Sequence, residues 1–94
     1  MSKVTVRVPT PLRSFTGGAE EVLIEGSSVG DILSQLVTRH DGLSRHLFDA
    51  DGELRQFINI YLDDRNVRAL DGLDSVVESG DVVNIVPAVA GGTQ

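Results

Sequence analysis

This 94-residue chain holds one helix-length apolar stripe. Val29, Ile32, Leu33, Leu36 and Val37 recur at i, i+3, i+4, i+7 and i+8, the spacing of a single apolar face on an amphipathic helix. Ser28 with Asp31 three residues later forms a capping-box-like start in which the shorter Asp replaces the usual Glu. Asp41-Gly42 closes the segment, giving a helix of about 11–12 residues. One helix cannot bury its own stripe, so the rest of the chain must supply a sheet to cover it.

The remaining apolar residues read as about five strands. Val4, Val6 and Val8 share one face of the first, with Lys3, Thr5 and Arg7 on the other. Pro9 and Pro11 end it, because neither can donate a ladder hydrogen bond. Gly17-Gly18 reads as a turn and Val22-Leu23-Ile24 as a returning strand, so the first 25 residues predict a β-hairpin with a long loop. Leu43, Leu47 and Phe48 predict a short helical turn on the same core.

Phe57 to Leu62 is the strongest strand signal, with Ile58, Ile60 and Leu62 facing one way and Phe57, Asn59 and Tyr61 the other. Asp63-Asp64-Arg65-Asn66 reads as a polar turn, Val67-Arg68 as the start of an edge strand, and Leu73, Val76 and Val77 as a helical turn closed by Gly80-Asp81. Val82 to Val86 is the last strand, with Val83 and Ile85 in phase for the core and Pro87 stopping the pairing. The order β-β-α-β-(β)-β predicts an α+β fold with a mixed sheet packed on one main helix. Residues 1–87 form the expected domain, and 88–94 a flexible tail with small uncharged side chains.

Composition narrows the function. Apolar residues at 40% and charged residues at 23% fit a globular chain rather than a disordered one. The net charge of −6 argues against nucleic acid or an anionic membrane as partner. Absence of a long apolar run leaves a cytoplasmic address as the default. With no cysteine, disulfides, thiolate catalysis and cysteine-ligated zinc are all excluded. Residues 1–47 carry five acids and five bases, whereas 48–94 carry nine acids and three bases, so the whole excess lies in the second half. That excess reads either as an ordinary solvated surface or as an acidic face that steers a basic partner.

No enzyme site assembles in the sequence. His40 and His46 are six apart, which is not a helical metal pair, and no metal site is expected. Asp49-Ala50-Asp51-Gly52-Glu53 resembles the opening of a calcium loop but lacks its third acid and closing Glu, so a turn is expected. There is neither a Gly-x-Ser-x-Gly elbow nor a phosphate-cradling glycine loop, and no catalytic residue is assigned. Two features remain. Scarce aromatics, Phe57 and Tyr61, fall with Asn59 on the non-helix face of the strongest strand, and Val86 lies near them; they mark either a partner surface or a covered patch. Gly91-Gly92 follow the last strand in a tail that, extended, reaches far enough to enter another protein's channel.

The element order, the stretch Phe57-Ile58-Asn59-Ile60-Tyr61-Leu62-Asp63 and the ending Gly80-Asp81-Val82-Val83-Asn84-Ile85-Val86-Pro87-Ala88-Val89-Ala90-Gly91-Gly92 carry a resemblance. Together they resemble the ThiS/MoaD-type sulfur carriers, a branch of the ubiquitin-like β-grasp superfamily, and are most similar to its CysO-like subgroup. The resemblance implies a carrier rather than an enzyme, in a pathway such as cysteine biosynthesis. An E1-like adenylyltransferase/sulfurtransferase would use MgATP to adenylate the carboxylate of Gly92, which then becomes a thiocarboxylate. The carrier would bind no cofactor itself. Ala90 and Gly91 would thread the partner's tunnel, while Phe57, Asn59, Tyr61 and Val86 would dock it. Because Thr93-Gln94 follow Gly92, the resemblance also implies cleavage between Gly92 and Thr93 by a JAMM-type metalloprotease. The sulfur acceptor would be a synthase, for example a PLP-dependent one. The same resemblance admits two alternatives: a ubiquitin-like modifier joined through Gly92 to lysines, or the small subunit of a molybdopterin synthase.

Overall fold

The structure is a computed structural model and describes residues 2–87. Five strands, β1 (Ser2–Arg7), β2 (Glu21–Gly26), β3 (Ile58–Leu62), β4 (Arg65–Asn66) and β5 (Val82–Pro87), form one sheet in the order β2-β1-β5-β3-β4. Helix α1 (Val29–Arg39) packs across it, followed by a 3-10 turn at Asp41–Leu43 and the one-turn α2 (Ser44–Leu47). The sheet is mixed. β1 and β2 run antiparallel with Val4 opposite Ile24, and β3 and β5 run antiparallel with Ile60 opposite Ile85. β1 and β5 run parallel, with Val6 opposite Val83. A parallel pair needs a long crossover, and here nearly the entire chain provides it.

Alternation explains the core. Val4, Val6 and Val8 of the first segment, Ile24 of β2, Ile58, Ile60 and Leu62 of β3, and Val83 and Ile85 of β5 are buried on one face of the sheet. Val29, Ile32, Leu33 and Leu36 of α1 close over them, with Leu43 and Leu47 extending the same cluster. Ser28 caps α1 as its spacing predicts: its Oγ accepts the Asp31 amide at 3.1 Å. The Asp31 carboxylate reaches back to accept the Ser27 amide at 3.0 Å. A capping box normally returns to the cap residue itself, so the shorter acid here holds the residue before it. Gly30 interrupts the helix at a measurable propensity cost, but a Cβ there would stand 3.0 Å from the Leu73 carbonyl oxygen. Close approach of the segment carrying Leu73 requires it.

Several local expectations are corrected. The long loop of the first hairpin is a seven-residue 3-10 helix, Thr10–Thr16, with proline in its first turn. Proline has no amide to satisfy at a helix start, and Leu12 and Thr16 are buried beneath the segment. The Thr16 hydroxyl lies 3.0 Å and 2.8 Å from the Arg13 and Ala19 carbonyls, so its burial leaves no orphan. The polar turn at 63–66 is only two residues long. Asp63 takes a left-handed φ of 59°, and Arg65–Asn66 already pair with β3 as β4. No strand starts at Val67, because the Asn66 side chain accepts the Arg68 amide at 2.9 Å and turns the chain into a 3-10 segment, Val67–Ala69.

The helical turn expected around Leu73, Val76 and Val77 reduces to Gly72–Asp74. Val76 instead bridges Ser28 in extended form and is 72% exposed, while Val77 is buried. Spacing alone mimicked a helix there. The last strand runs one residue beyond Val86, with Pro87 opposite Ile58, and the third strand begins at Ile58, leaving Phe57 in the turn before it.

Replacing Leu36 with Ala should cost about 2–5 kcal/mol, because it opens a cavity in a fully buried site. Leu23→Ala, on the exposed face of β2, should stay within about 0.5 kcal/mol of the parent. Urea denaturation of both variants checks the pair.

Candidate functional site: the root of the C-terminal segment

Strand order fixes where the C-terminal segment leaves the body. β5 lies in the middle of the sheet, with β1 paired to its first half, Val82 to Asn84, and β3 paired from Val83 to Pro87. Its last residue, Pro87, stands opposite Ile58 at the start of β3. The described chain therefore ends within the sheet, at Pro87, beside the turn that carries Phe57. The expected threading residues Ala90 and Gly91, the terminal Gly92 and the scissile Gly92–Thr93 pair lie outside the described residues.

The four expected docking residues are not scattered. Asn59 stands directly opposite Val86, and Tyr61 opposite Asn84, on the face turned away from α1. Phe57, at 49%, and Val86, at 41%, are exposed, while Asn59 and Tyr61 are half-buried. The same face contains residues that the sequence reading missed. Leu23, exposed on β2, faces Thr5 of β1, and Thr5 faces Val82 of β5. A signal existed for both: Val22-Leu23-Ile24 and Val82-Val83 are consecutive apolar residues in strands with one buried face, so one of each set must point out.

Arg68 organises this corner. β4 pairs only with Tyr61 and Leu62, which leaves the start of β3 without a strand on that side. The Arg68 Nη2 occupies the gap, donating to the carbonyls of Ile58 at 2.9 Å and Arg55 at 3.0 Å, with Gln56 at 3.4 Å. A cation shared among carbonyls blunts an open strand edge and pins the turn that presents Phe57. Arg55 in turn donates its Nε to the Arg45 carbonyl at 2.7 Å. No sequence pattern announced this, because Arg68 acts on residues ten to thirteen positions away.

The other candidates take structural places. His40 is the C-cap of α1 and His46 stacks on Phe15 with ring centroids 4.5 Å apart. Asp49 Oδ1 accepts the amides of Asp51 and Glu53 at 2.9 Å and 3.1 Å, so this stretch is a side-chain-stapled turn. Among the described residues no group of His, Asp and Glu is placed to hold a metal ion, and no helix is long and apolar enough to cross a membrane.

Charges of both signs stand at each end of β5. Asp63 and Asp81 flank its start, where Asp63 Oδ1 accepts the Val82 amide and Asp81 Oδ2 the Glu78 amide, and Lys3 and Arg65 lie at the same end. Asp71 and Asp74 bracket the turn packed on the first residues of α1, and that turn lines a cavity with Glu53 and Arg68. Arg45 and Arg55 line a cleft with Asp41 and Asp49.

With this geometry in place, the chain can be compared with known proteins. The ThiS family profile matches residues 6–92. This chain belongs to the ThiS family. It is 44% identical over 91 residues to the sulfur carrier protein CysO of Mycobacterium tuberculosis, covering 95% of this chain and 98% of that protein. Its fold superposes on a chain of the crystallised Amycolatopsis orientalis BexX/CysO complex with a TM-score of 0.87, at 43% identity and with 95% and 99% of the two chains covered. It also matches the solution structure of small archaeal modifier protein 1 from Methanosarcina acetivorans, with a TM-score of 0.85, 32% identity and 98% of each chain covered. The ubiquitin-like β-grasp fold that the resemblance implies is therefore the fold of this ThiS-family chain.

Arg68→Ala should lower stability by about 1–2 kcal/mol, since its charge-assisted hydrogen bonds are partly exposed. Arg68→Lys should recover only part of that, because an ammonium lacks the planar fork. Thermal unfolding of both, with amide exchange at Arg55 to Ile58 as the local readout, checks the role.

Proposed function

We propose that this chain is a sulfur carrier protein whose working group is the main-chain carboxyl of Gly92, exposed once Thr93-Gln94 are removed. The observation that carries the reading is the position of β5: the strand leading to Gly91-Gly92 lies at the sheet's centre and ends beside an exposed apolar patch. A terminus that leaves a strand paired with β3 to its last residue starts from a fixed point, so a partner that docks the patch gains a predictable approach to the acyl group. The 44% identity to a CysO carrier over nearly the whole length supports the same role.

The chemistry belongs to the partner. An E1-like adenylyltransferase/sulfurtransferase would bind MgATP, and a Gly92 carboxylate oxygen would attack the α-phosphorus with release of pyrophosphate. Sulfide would then attack the acyl carbon and expel AMP, leaving the thiocarboxylate. This chain supplies binding and positioning, holds no cofactor, and is not an enzyme. Residues 1–87 act as the docking body and 88–94 as the delivered segment. Ala90 and Gly91, with side chains no larger than methyl, suit a narrow tunnel. Phe57, Asn59, Tyr61 and Val86 form the docking surface, and the solved BexX/CysO complex supports partner binding by a chain of this fold. A JAMM-type metalloprotease would cut after Gly92, and a sulfur-accepting synthase, PLP-dependent in the cysteine-forming version, would consume the product in the cytoplasm.

A second reading has one observation behind it: the match to small archaeal modifier protein 1. In that reading Gly92 forms an isopeptide bond with a target lysine. Mass spectrometry separates the two. Chain recovered from its own cells should end at Gly92, and with the activating enzyme, ATP and sulfide it should gain the mass of one sulfur-for-oxygen exchange. Full-length chain throughout, with no such gain, would contradict the carrier reading. Glycine branches from this terminus on cellular lysines, without any thiocarboxylate, would favour the modifier.

Docking has its own test. Phe57→Ser with Val86→Ser should leave the unfolding midpoint nearly unchanged but slow adenylation by about tenfold or more, as loss of central apolar anchors does at interfaces. Steady-state pyrophosphate release reads the outcome.

A further inference from the structure

The length of the delivered segment limits where its enzyme can sit. Residues 88–92 span at most about 18 Å when fully extended. With Ala90, Gly91 and Gly92 inside a tunnel, only Ala88 and Val89 remain between its mouth and Pro87, about 7 Å of chain. A protein surface held that close to Pro87 meets whatever surrounds the end of β5, on the helix side as well as on the outer face of the sheet.

Two arms of the body close around that end on the helix side. β1 runs parallel to β5, with Arg7 opposite Asn84, and the chain continues through Val8 and Pro9 into the Thr10–Thr16 helix. The other arm starts at Ile58, opposite Pro87, whose amide donates to the Arg55 carbonyl at 3.0 Å. The Arg55 amide donates in turn to the Leu47 carbonyl at 2.9 Å, which ties α2 to the same end. The arms meet where the Phe15 ring packs on His46, with centroids 4.5 Å apart and planes tilted by 38°. Gly42 makes room for that ring: a Cβ there would stand 2.8 Å from Phe15 Cδ1. Even so, Phe15 stays 37% exposed. Of the three phenylalanines only Phe48 packs against the core; Phe15, on the first arm, and Phe57, on the second, both face solvent.

We propose that Phe15 is a second apolar anchor for the adenylating enzyme, seated across the exit of the terminus from the Phe57 and Val86 patch. The proposal rests on the carrier reading and adds to it the helix-side half of the enzyme's footprint. A ring already packed on Gly42 and His46 loses little freedom on binding and offers a large apolar area, as interface aromatics do. Anchors on both sides of Pro87 fix the angle at which the segment enters the tunnel, whereas a patch on one face leaves the body free to rock. Exposure alone does not choose Phe15. Val76 is more exposed, but it bridges Ser28, and its neighbour Val77 accepts the Ser2 hydroxyl at 3.2 Å, at the end of β1 far from Pro87. The length limit places no enzyme surface there.

Initial rates of pyrophosphate release by the adenylating enzyme of the same cell, with chain ending at Gly92, test the proposal. Phe15→Ser should raise KM for the carrier by about fivefold or more while kcat stays within about twofold, the pattern of lost docking rather than lost chemistry. Phe15→Leu, which keeps apolar bulk, should restore most of the parent's KM. Val76→Ser should leave KM unchanged. Should Phe15→Ser fail to fold, hydroxyl-radical footprinting of the parent chain decides without a substitution: bound enzyme should shield Phe15 and Phe57 and leave Val76 as reactive as in the free chain. A folded Phe15→Ser chain with the parent's KM, or a Phe15 equally reactive in the free and bound chains, overturns the inference while leaving the carrier reading intact. A KM raised equally by Val76→Ser overturns it as well. Failure of the parent chain itself to be adenylated defeats the carrier reading and this inference with it.

Discussion

Thr5, Val6 and Arg7 run parallel and in register with Val82, Val83 and Asn84, and the architecture follows from that pairing. It brings the beginning of the chain against its end, so everything between must cross over, and the one helix available must lie on the face where Val6 and Val83 point. The pairing also places β5 in the sheet's interior. β1 holds only the first half of β5, Val82 to Asn84, while β3 pairs with it through to the last residue, where Pro87 stands beside Ile58. Under the proposed carrier role, the fold is a mount for the terminus.

Longer periodic elements were legible in the sequence for physical reasons. The stripe Val29 to Val37, the Ser28 cap and the alternation of Val4, Val6, Val8 and of Ile58, Ile60, Leu62 each report a buried face that local spacing must satisfy. Short elements were not, because tertiary contacts decide them. Thr10–Thr16 reads as a loop by its prolines, yet it forms a 3-10 helix that buries Leu12 in the core cluster and lets Thr16 bond the Arg13 and Ala19 carbonyls. Val76 belongs to an apparent helical triplet, yet it is extended because Ser28 bridges it. Val67 turns away from strand geometry because the Asn66 side chain accepts the Arg68 amide.

The candidate site was legible in part. Phe57, Asn59, Tyr61 and Val86 could be grouped from strand phase alone, and their cross-strand registers bring Asn59 to Val86. Leu23 was overlooked although its position between Val22 and Ile24 marks it as facing outwards. The arrangement of charge could not be read from sequence halves. An acidic second half read either as a solvated surface or as an acidic face, whereas folding mixes the signs: Lys3 and Arg65 lie at the end of β5 that carries Asp63 and Asp81, and Asp41 and Asp49 line a cleft with Arg45 and Arg55.

The central claim is that the body serves to present an acyl terminus with no side chain at its last residue. The most direct measurement compares chain ending at Gly92 with the same chain carrying Gly92→Val, recording both the unfolding midpoint and the sulfur taken up from the activating enzyme. The account predicts the same midpoint and near-complete loss of sulfur uptake in the valine chain. Equal uptake by both chains would contradict it.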